Sequence, residues 1–210
     1  MKSENSDRYN IIVISGPSGS GKSTLINRLV SEHRDIIFSV SHTTRPKRDS
    51  EIDGQHYHFV SEETFREMID HNEFAEWAKV YKNYYGTSRF EIEQKSGGEN
   101  NLVLDLDVQG AANIKKEFPS ALFVFIVPPN LAELKKRLVA REKVIDSHIE
   151  TRLKTAIEEL NQYNLYDYTV INDKVDDAYA VLKSIYTTYN NATRKKKDMI
   201  ENILKGNYDK

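Results

Sequence analysis

The stretch IIVISGPSGSGKST (residues 11–24) constrains this chain more than any other. A continuous apolar run stops at Ser15, and three glycines then fall between it and Lys22. Behind the lysine, STLINRLVSEH sets Leu25, Leu29 and Val30 on one face of a helix. Gly16, Gly21, Lys22 and Ser23 satisfy the pattern G-x-x-x-x-G-K-[ST]. Glycines let the backbone curl so that successive N–H groups turn inward toward phosphate oxygens. The helix that follows adds its positive N-terminal end. Lys22 supplies a mobile charge for the outer phosphates, and the Ser23 hydroxyl can ligate Mg²⁺. The alternative is a glycine turn beside a chance lysine. A strand before the loop and a helix after it favour nucleoside triphosphate binding.

Other apolar runs are IIFSVS (36–41), NLVLDLD (101–107), ALFVFIV (121–127) and YTVI (168–171). They are continuous rather than alternating, as in strands covered on both faces. Helical patterns separate most of them. NLAELKKRLVARE places Leu131, Leu134, Leu138 and Val139 together, and VDDAYAVLKSIYTTY follows the last run. This alternation predicts an α/β fold with a parallel sheet between helices. Residues 42–90 break the rhythm with YHFV, SEETFREMIDHN and EFAEWAKVYKNYYGTS, which predict an inserted lobe of mixed structure. Residues 140–166 are charged and helical, and RKKK (194–197) reads as a solvated helix end.

The 210 residues suit one large domain, or one carrying a smaller insertion. Thirty basic against 32 acidic residues leave no basic excess, which argues against a non-specific nucleic-acid binder. No cysteine is present, in keeping with a reducing cytoplasm and excluding a thiolate metal site. The first ten residues lack an apolar signal core, and ALFVFIV is too short to span a bilayer, so no membrane partner is expected. None of these features speaks to oligomeric state. An N-K-x-D guanine motif, usual in GTPases, does not occur.

Two further stretches point to an acceptor. In SVSHTTRPKRDSEIDGQHYHFV (39–60), Arg45, Arg48 and Tyr57 could grip a second phosphate through forked hydrogen bonds. A basic surface loop is the alternative. In EFAEWAKVYKNYYGTS, Glu76 matches the paired N1–H and N2–H donors of guanine, and the Thr87 hydroxyl can serve O6. Adenine would repel that carboxylate. The alternative is an aromatic hairpin with an exposed glutamate.

On these residues the chain resembles the guanylate kinases, P-loop nucleoside monophosphate kinases that move a phosphoryl group from ATP to GMP. The resemblance runs from about residue 11 to residue 189, and its most specific part is T-T-R-x-x-R-x-x-E-x-x-G-x-x-Y-x-F at 43–59. FAEWA, NYYGT, LDLDVQG and VIND also read like the family. It implies a P-loop three-layer fold with a central parallel sheet, an inserted mixed α+β GMP-binding lobe and a helical lid. One domain would hold a core (9–41, 99–140, 167–190), a lobe (42–98), a lid (141–166) and a C-terminal tail (191–210). ATP would sit on Gly16, Pro17, Ser18, Gly19, Ser20, Gly21, Lys22, Ser23 and Thr24, with Arg137 beside it and Asn172 at the adenine. Arg45, Arg48, Tyr57 and Tyr85 would clamp the GMP phosphate, and Ser41, Glu76, Thr87 and Asp105 would read guanine. Lys22, Arg45, Arg141 and Arg152 would be catalytic. Mg²⁺ would be the cofactor, held by Ser23 and, through water, by Asp107; whether dGMP is a second acceptor stays open at this point. The chain departs from the family at Lys47, Asp49 and Ser50 around the second clamp arginine, and at EKVIDSH (142–148) after Arg141. A rival class, a related scaffold module without catalysis, would usually have a degraded phosphate loop; this one is complete.

Overall fold

The computed structural model describes residues 9–80, 82–97, 100–142 and 147–206, with side chains left out at 141, 142, 147, 148 and 198. In chain order the elements begin with strand β1 (Ile11–Ser15), helix α1 (Lys22–Glu32) and strand β2 (Ile36–Phe38). The lobe follows: β3 (His42–Thr43), β4 (His58–Phe59), α2 (Glu62–Asp70), β5 (Phe74–Val80), β6 (Asn83–Ser88) and α3 (Arg89–Lys95). Then come β7 (Asn101–Asp105), α4 (Val108–Glu117), β8 (Leu122–Val127), α5 (Leu131–Glu142) and α6 (Ser147–Leu160). β9 (Tyr168–Ile171), α7 (Val175–Asn190) and α8 (Lys197–Leu204) are the last elements among the described residues.

Five strands form a parallel sheet in the order β2-β7-β1-β8-β9. All five residues of β1 are buried, because both faces of the sheet are covered. Ile12 and Ile14 point into a cluster with Leu25, Ile26 and Leu29 of α1 and Leu182 and Tyr186 of α7. Ile11 and Val13 point the other way, against Ile92 of α3 and Ala111 and Ile114 of α4. Each fully buried side chain of this size stabilises the fold by about 1.5–3 kcal/mol. The central parallel sheet and flanking helices match the fold read from the sequence. β1 lies between β7 and β8, so its C-terminal end opens at the switch point where α/β folds bind ligands.

The lobe has its own sheet, ordered β4-β3-β6-β5, with β5 and β6 as an antiparallel hairpin. Its small core is aromatic: Phe65 of α2 stacks on Phe74 at 4.4 Å and on Tyr84 at 5.4 Å. Trp77, the only tryptophan of the chain, is 41% exposed and leans on Tyr84 at 6.0 Å. Ser61 caps α2 by accepting the Thr64 N–H.

Two readings change. The run IIFSVS ends as a strand at Phe38, because the Val40 N–H donates to the Glu91 carboxylate (2.9 Å) and not to a neighbouring strand. The RKKK segment is only partly solvated. Lys195 Nζ is drawn inward to the side-chain oxygens of Asn101 and Asn190 and lies 4.1 Å from the Tyr189 ring centre. Nearby, the Asp35 carboxylate accepts from the Tyr186 hydroxyl, from Asn190 Nδ2 (3.1 Å) and from Asn101 Nδ2 (3.3 Å). Among the described residues, no helix is long and apolar enough to cross a membrane.

Candidate functional site

At the C-terminal edge of the large sheet lies a cavity of about 980 Å³. That is the upper end of the range for small-molecule sites. One wall is the loop from Gly16 to Thr24, between β1 and α1. The Ser20 N–H donates to Pro17 O (3.0 Å), closing a turn inside the loop. Lys22 Nζ donates to Gly16 O (2.7 Å) and lies 3.8 Å from Asp105. Gly16 has φ +149°, and a Cβ there would lie 2.0 Å from the Ile126 carbonyl of β8. No other residue fits that position. Ser23 and Thr24 are exposed toward the cavity.

The facing wall comes from the lobe. Arg45 is bound through both terminal nitrogens to the Glu51 carboxylate, at 3.0 and 2.6 Å. Its guanidinium also lies 5.5 Å from the Tyr57 ring centre, and Tyr57 meets Tyr85 edge-on at 6.0 Å. Burial, with the Asp105 charge adding, pushes the Tyr57 hydroxyl up to about 12, so it stays a hydrogen-bond donor at neutral pH. The Arg48 backbone N–H donates to the same Glu51 carboxylate (2.8 Å), and its exposed side chain reaches the cavity. Arg45, Arg48, Tyr57 and Tyr85, grouped together in the sequence reading, therefore line one cavity. Glu51 is the organiser that reading left without a role, although the spacing R-x-x-R-x-x-E contains it.

Deeper in the lobe, Glu76 is 5% exposed, which removes the alternative of an exposed hairpin glutamate. Its Oε1 accepts the Thr87 N–H (3.0 Å) and the Thr87 hydroxyl (2.9 Å). Burial pushes the carboxyl up to about 7, and the charge of Asp107 adds to this against the two Thr87 bonds. Ser41 Oγ lies 3.4 Å from Thr87 Oγ1, and both Ser41 and Glu76 line the cavity. Thr87 is fully buried, and its hydroxyl donates to Glu76. Gly110 of α4 was also unassigned. A Cβ there would lie 2.8 Å from Glu76 Oε2, so the glycine makes room for the carboxylate.

Asp105 and Asp107 close the cavity floor at the end of β7, and Asp107 caps α4 by accepting the Gly110 N–H (2.7 Å). Arg137 of α5 lines the rim and donates to Glu133 (3.0 Å) and to the Asn172 carbonyl (2.9 Å). Arg152, Thr155 and Glu159 face the cavity from one side of α6. Glu159 was missed, although its seven-residue spacing from Arg152 keeps both on one helical face. Burial raises its carboxyl above the usual range, against the pull of Lys22 and the Ser18 backbone. The side chain of Arg141 lies outside the described residues. Asn172 is 2% exposed and turns its amide nitrogen to Ser20 O (2.7 Å), while its Oδ1 has no hydrogen-bond partner among the described residues.

Among the described residues, no group of three or more His, Cys, Asp or Glu is placed to cage a metal. The donors at hand are hard oxygens, the Ser23 hydroxyl and the Asp105 and Asp107 carboxylates. These suit Mg²⁺ bound mainly by substrate phosphates and water.

Comparisons with known proteins bear on this geometry. Residues 8–189 match the family described as guanylate kinase. The chain is 48% identical over 181 residues to the guanylate kinase of Shewanella denitrificans, covering 86% of this chain and 87% of that one. It is 45% identical over 175 residues to the guanylate kinase of Caldanaerobacter subterraneus, covering 83% and 85%. The crystal structure of guanylate kinase from Anaplasma phagocytophilum superposes with a TM-score of 0.74 at 29% identity, over 90% of each chain. A shikimate kinase from Bacteroides thetaiotaomicron, 15% identical with a TM-score of 0.51 over 84% of this chain and 98% of that one, shares the fold alone.

Proposed function

Because the chain belongs to the guanylate kinase family, we propose that its cavity holds ATP on the Gly16–Thr24 loop and GMP against Arg45 and Glu76. Its reaction is transfer of the γ-phosphoryl of ATP to GMP, giving ADP and GDP. The observation that carries the site assignment is that one cavity joins Lys22 of the phosphate loop to an arginine–tyrosine cluster and a buried carboxylate. In this reading the sheet and its helices (9–41, 99–140, 167–190) are the core, 42–98 the GMP lobe, 141–166 the lid and 191–210 the tail.

The acceptor oxygen belongs to a phosphate monoester whose second pKa is near 6, so it is already anionic at neutral pH. It attacks the γ-phosphorus as the bond to the β,γ-bridging oxygen breaks, and no general base is needed. The chain's task is positioning and charge neutralisation. Arg45, held by Glu51, and Arg48 neutralise the GMP phosphate, with Tyr57 and Tyr85 donating hydroxyls. Lys22 neutralises the outer phosphates of ATP. Arg152, with Arg141, closes over the transferring group and Arg137 steadies the rim, excluding water that would hydrolyse ATP. Mg²⁺, when bound, supplies charge neutralisation at the β- and γ-phosphates, and Ser23 with Asp107 through water would hold it. Glu76 accepts the guanine donors; Ser41 and Asp105 line the same cavity. The lack of cysteine supports a cytoplasmic setting.

A coupled assay with ATP and each of GMP, dGMP, AMP and UMP tests this. GMP turnover should exceed that of AMP and UMP by orders of magnitude. Faster AMP than GMP turnover would remove the base assignment, and no turnover with any acceptor would remove the enzyme reading.

A further inference from the structure

We propose that Asn172 is a positioning residue for the phosphate loop, acting through Ser20 and Gly21. The proposal rests on the reading that this loop takes the ATP phosphates. Asn172 follows directly on β9, and its backbone N–H donates to Val127 O (2.8 Å), fixing it to the end of β8. Its carbonyl accepts from Arg137 Nη1 (2.9 Å). With the backbone held on both sides, the side chain runs inward, 2% exposed, and Nδ2 donates to Ser20 O at 2.7 Å.

That bond sets the orientation of one peptide. The Ser20–Gly21 unit is planar and trans, so turning its carbonyl toward Asn172 sends the Gly21 N–H the opposite way. Gly21 is itself part of the cavity lining. The amide is also packed against the loop itself. A Cβ on Gly21 would lie 2.3 Å from Asn172 Nδ2, and Gly21 has φ +88°, so the glycine of this motif serves Asn172 as well as the phosphate. On the far side the loop is held by the close approach of Gly16 to the Ile126 carbonyl. The loop is thus gripped between the ends of β8 and β9, with Asn172 as one jaw. Asn172 Oδ1 has no hydrogen-bond partner among the described residues, so only the donor half of the amide is used.

The test compares the wild-type enzyme with Asn172→Ala and Asn172→Ser, using inorganic tripolyphosphate as a competitor of ATP. This probe has the phosphates and no base. In both variants KM for ATP and Ki for tripolyphosphate should rise together by about tenfold, the factor expected for one buried hydrogen bond. GMP affinity, read by direct titration, should stay within about twofold, since the lobe is untouched. A rise in KM for ATP with unchanged tripolyphosphate inhibition would overturn the proposal in favour of a base contact. No change in either constant would overturn it too. So would loss of GMP binding in both variants, since Asn172 would then be holding the fold as a whole. Failure of the underlying reading is seen separately, in a wild-type enzyme that tripolyphosphate does not inhibit.

Discussion

One oxygen of Glu76 receives two hydrogen bonds from Thr87, the backbone N–H at 3.0 Å and the hydroxyl at 2.9 Å. These bonds hold a carboxylate in a place where burial disfavours its charge, and the group titrates at about 7. The value lies above the ordinary 4.5, so between those two pH values the folded chain keeps a proton that the unfolded chain has lost. The empty enzyme should therefore lose stability as pH rises through that window, and the guanine acceptor should form over the same range. Asp107 is the like charge that adds to the shift; Thr87 opposes it. Guanosine has no phosphate to titrate, so its affinity should increase from about pH 6 to about pH 8, by up to about tenfold. Glu76→Gln should bind it weakly and flatten the profile. Tighter guanosine binding in acid would contradict this.

Gly110→Ala offers a separation of binding from stability. Alanine is the better helix former by about 1 kcal/mol, so α4 gains. The new methyl would lie 2.8 Å from Glu76 Oε2 and push the carboxylate off its position. KM for GMP should rise by about tenfold or more with KM for ATP unchanged, since a displaced charged hydrogen bond is worth that much. An unaltered KM for GMP would mean that Glu76 yields without loss.

Glu51→Gln should loosen the clamp. The glutamine keeps the volume and loses the charged pairing with Arg45, whose two bonds at 3.0 and 2.6 Å set the guanidinium plane. Affinity for GMP should fall by about three- to tenfold while guanosine affinity stays constant, because only the phosphate end is disturbed. Equal losses for the two ligands would place the effect elsewhere.

Lys22→Ala removes the mobile cation of the loop. Its present partners, Gly16 O and Asp105, are within reach of the solvent-facing cavity, so the fold tolerates the change. Turnover should drop by roughly a thousandfold, in line with loss of one charge-stabilising donor. Thermal unfolding within a few degrees of wild type and near-normal turnover together would refute the role of this residue.

Asp35→Ala should affect stability alone. It strips the acceptor from Tyr186, Asn190 and Asn101 at once, far from the cavity. Unfolding free energy should fall by about 2 kcal/mol, as leaving buried donors unmatched does. Both KM values should be unchanged; a shift in either would connect this cluster to the site.

The phosphate loop could be read from the sequence because its chemistry is local: the glycines, the lysine and the two flanking elements are contiguous. The strands of the large sheet could be read for a similar reason, since burial on both faces leaves uninterrupted apolar runs. Arg45, Arg48 and Tyr57 could be grouped by spacing, but Glu51 escaped notice because a carboxylate in a polar loop looks like any other. The directions in which the Thr87 and Asn172 side chains turn could not be read from the sequence. Which way a side chain turns is decided by partners far along the chain, Glu76 for one and Ser20 for the other. Lys195 was taken for solvent-exposed because its neighbours Asn101 and Asn190 meet it only in the folded protein.

The placement of Trp77 has a spectroscopic consequence. It is the single indole of the chain, it follows Glu76 directly on β5, and it rests on the ring of Tyr84 while partly open to water. Emission excited at the red edge of the protein absorption comes from the lobe and nowhere else. Arrival of a guanine base beside Glu76 can thus be followed in real time without a label, and the ATP-side loop, which carries no indole, stays dark in the same record.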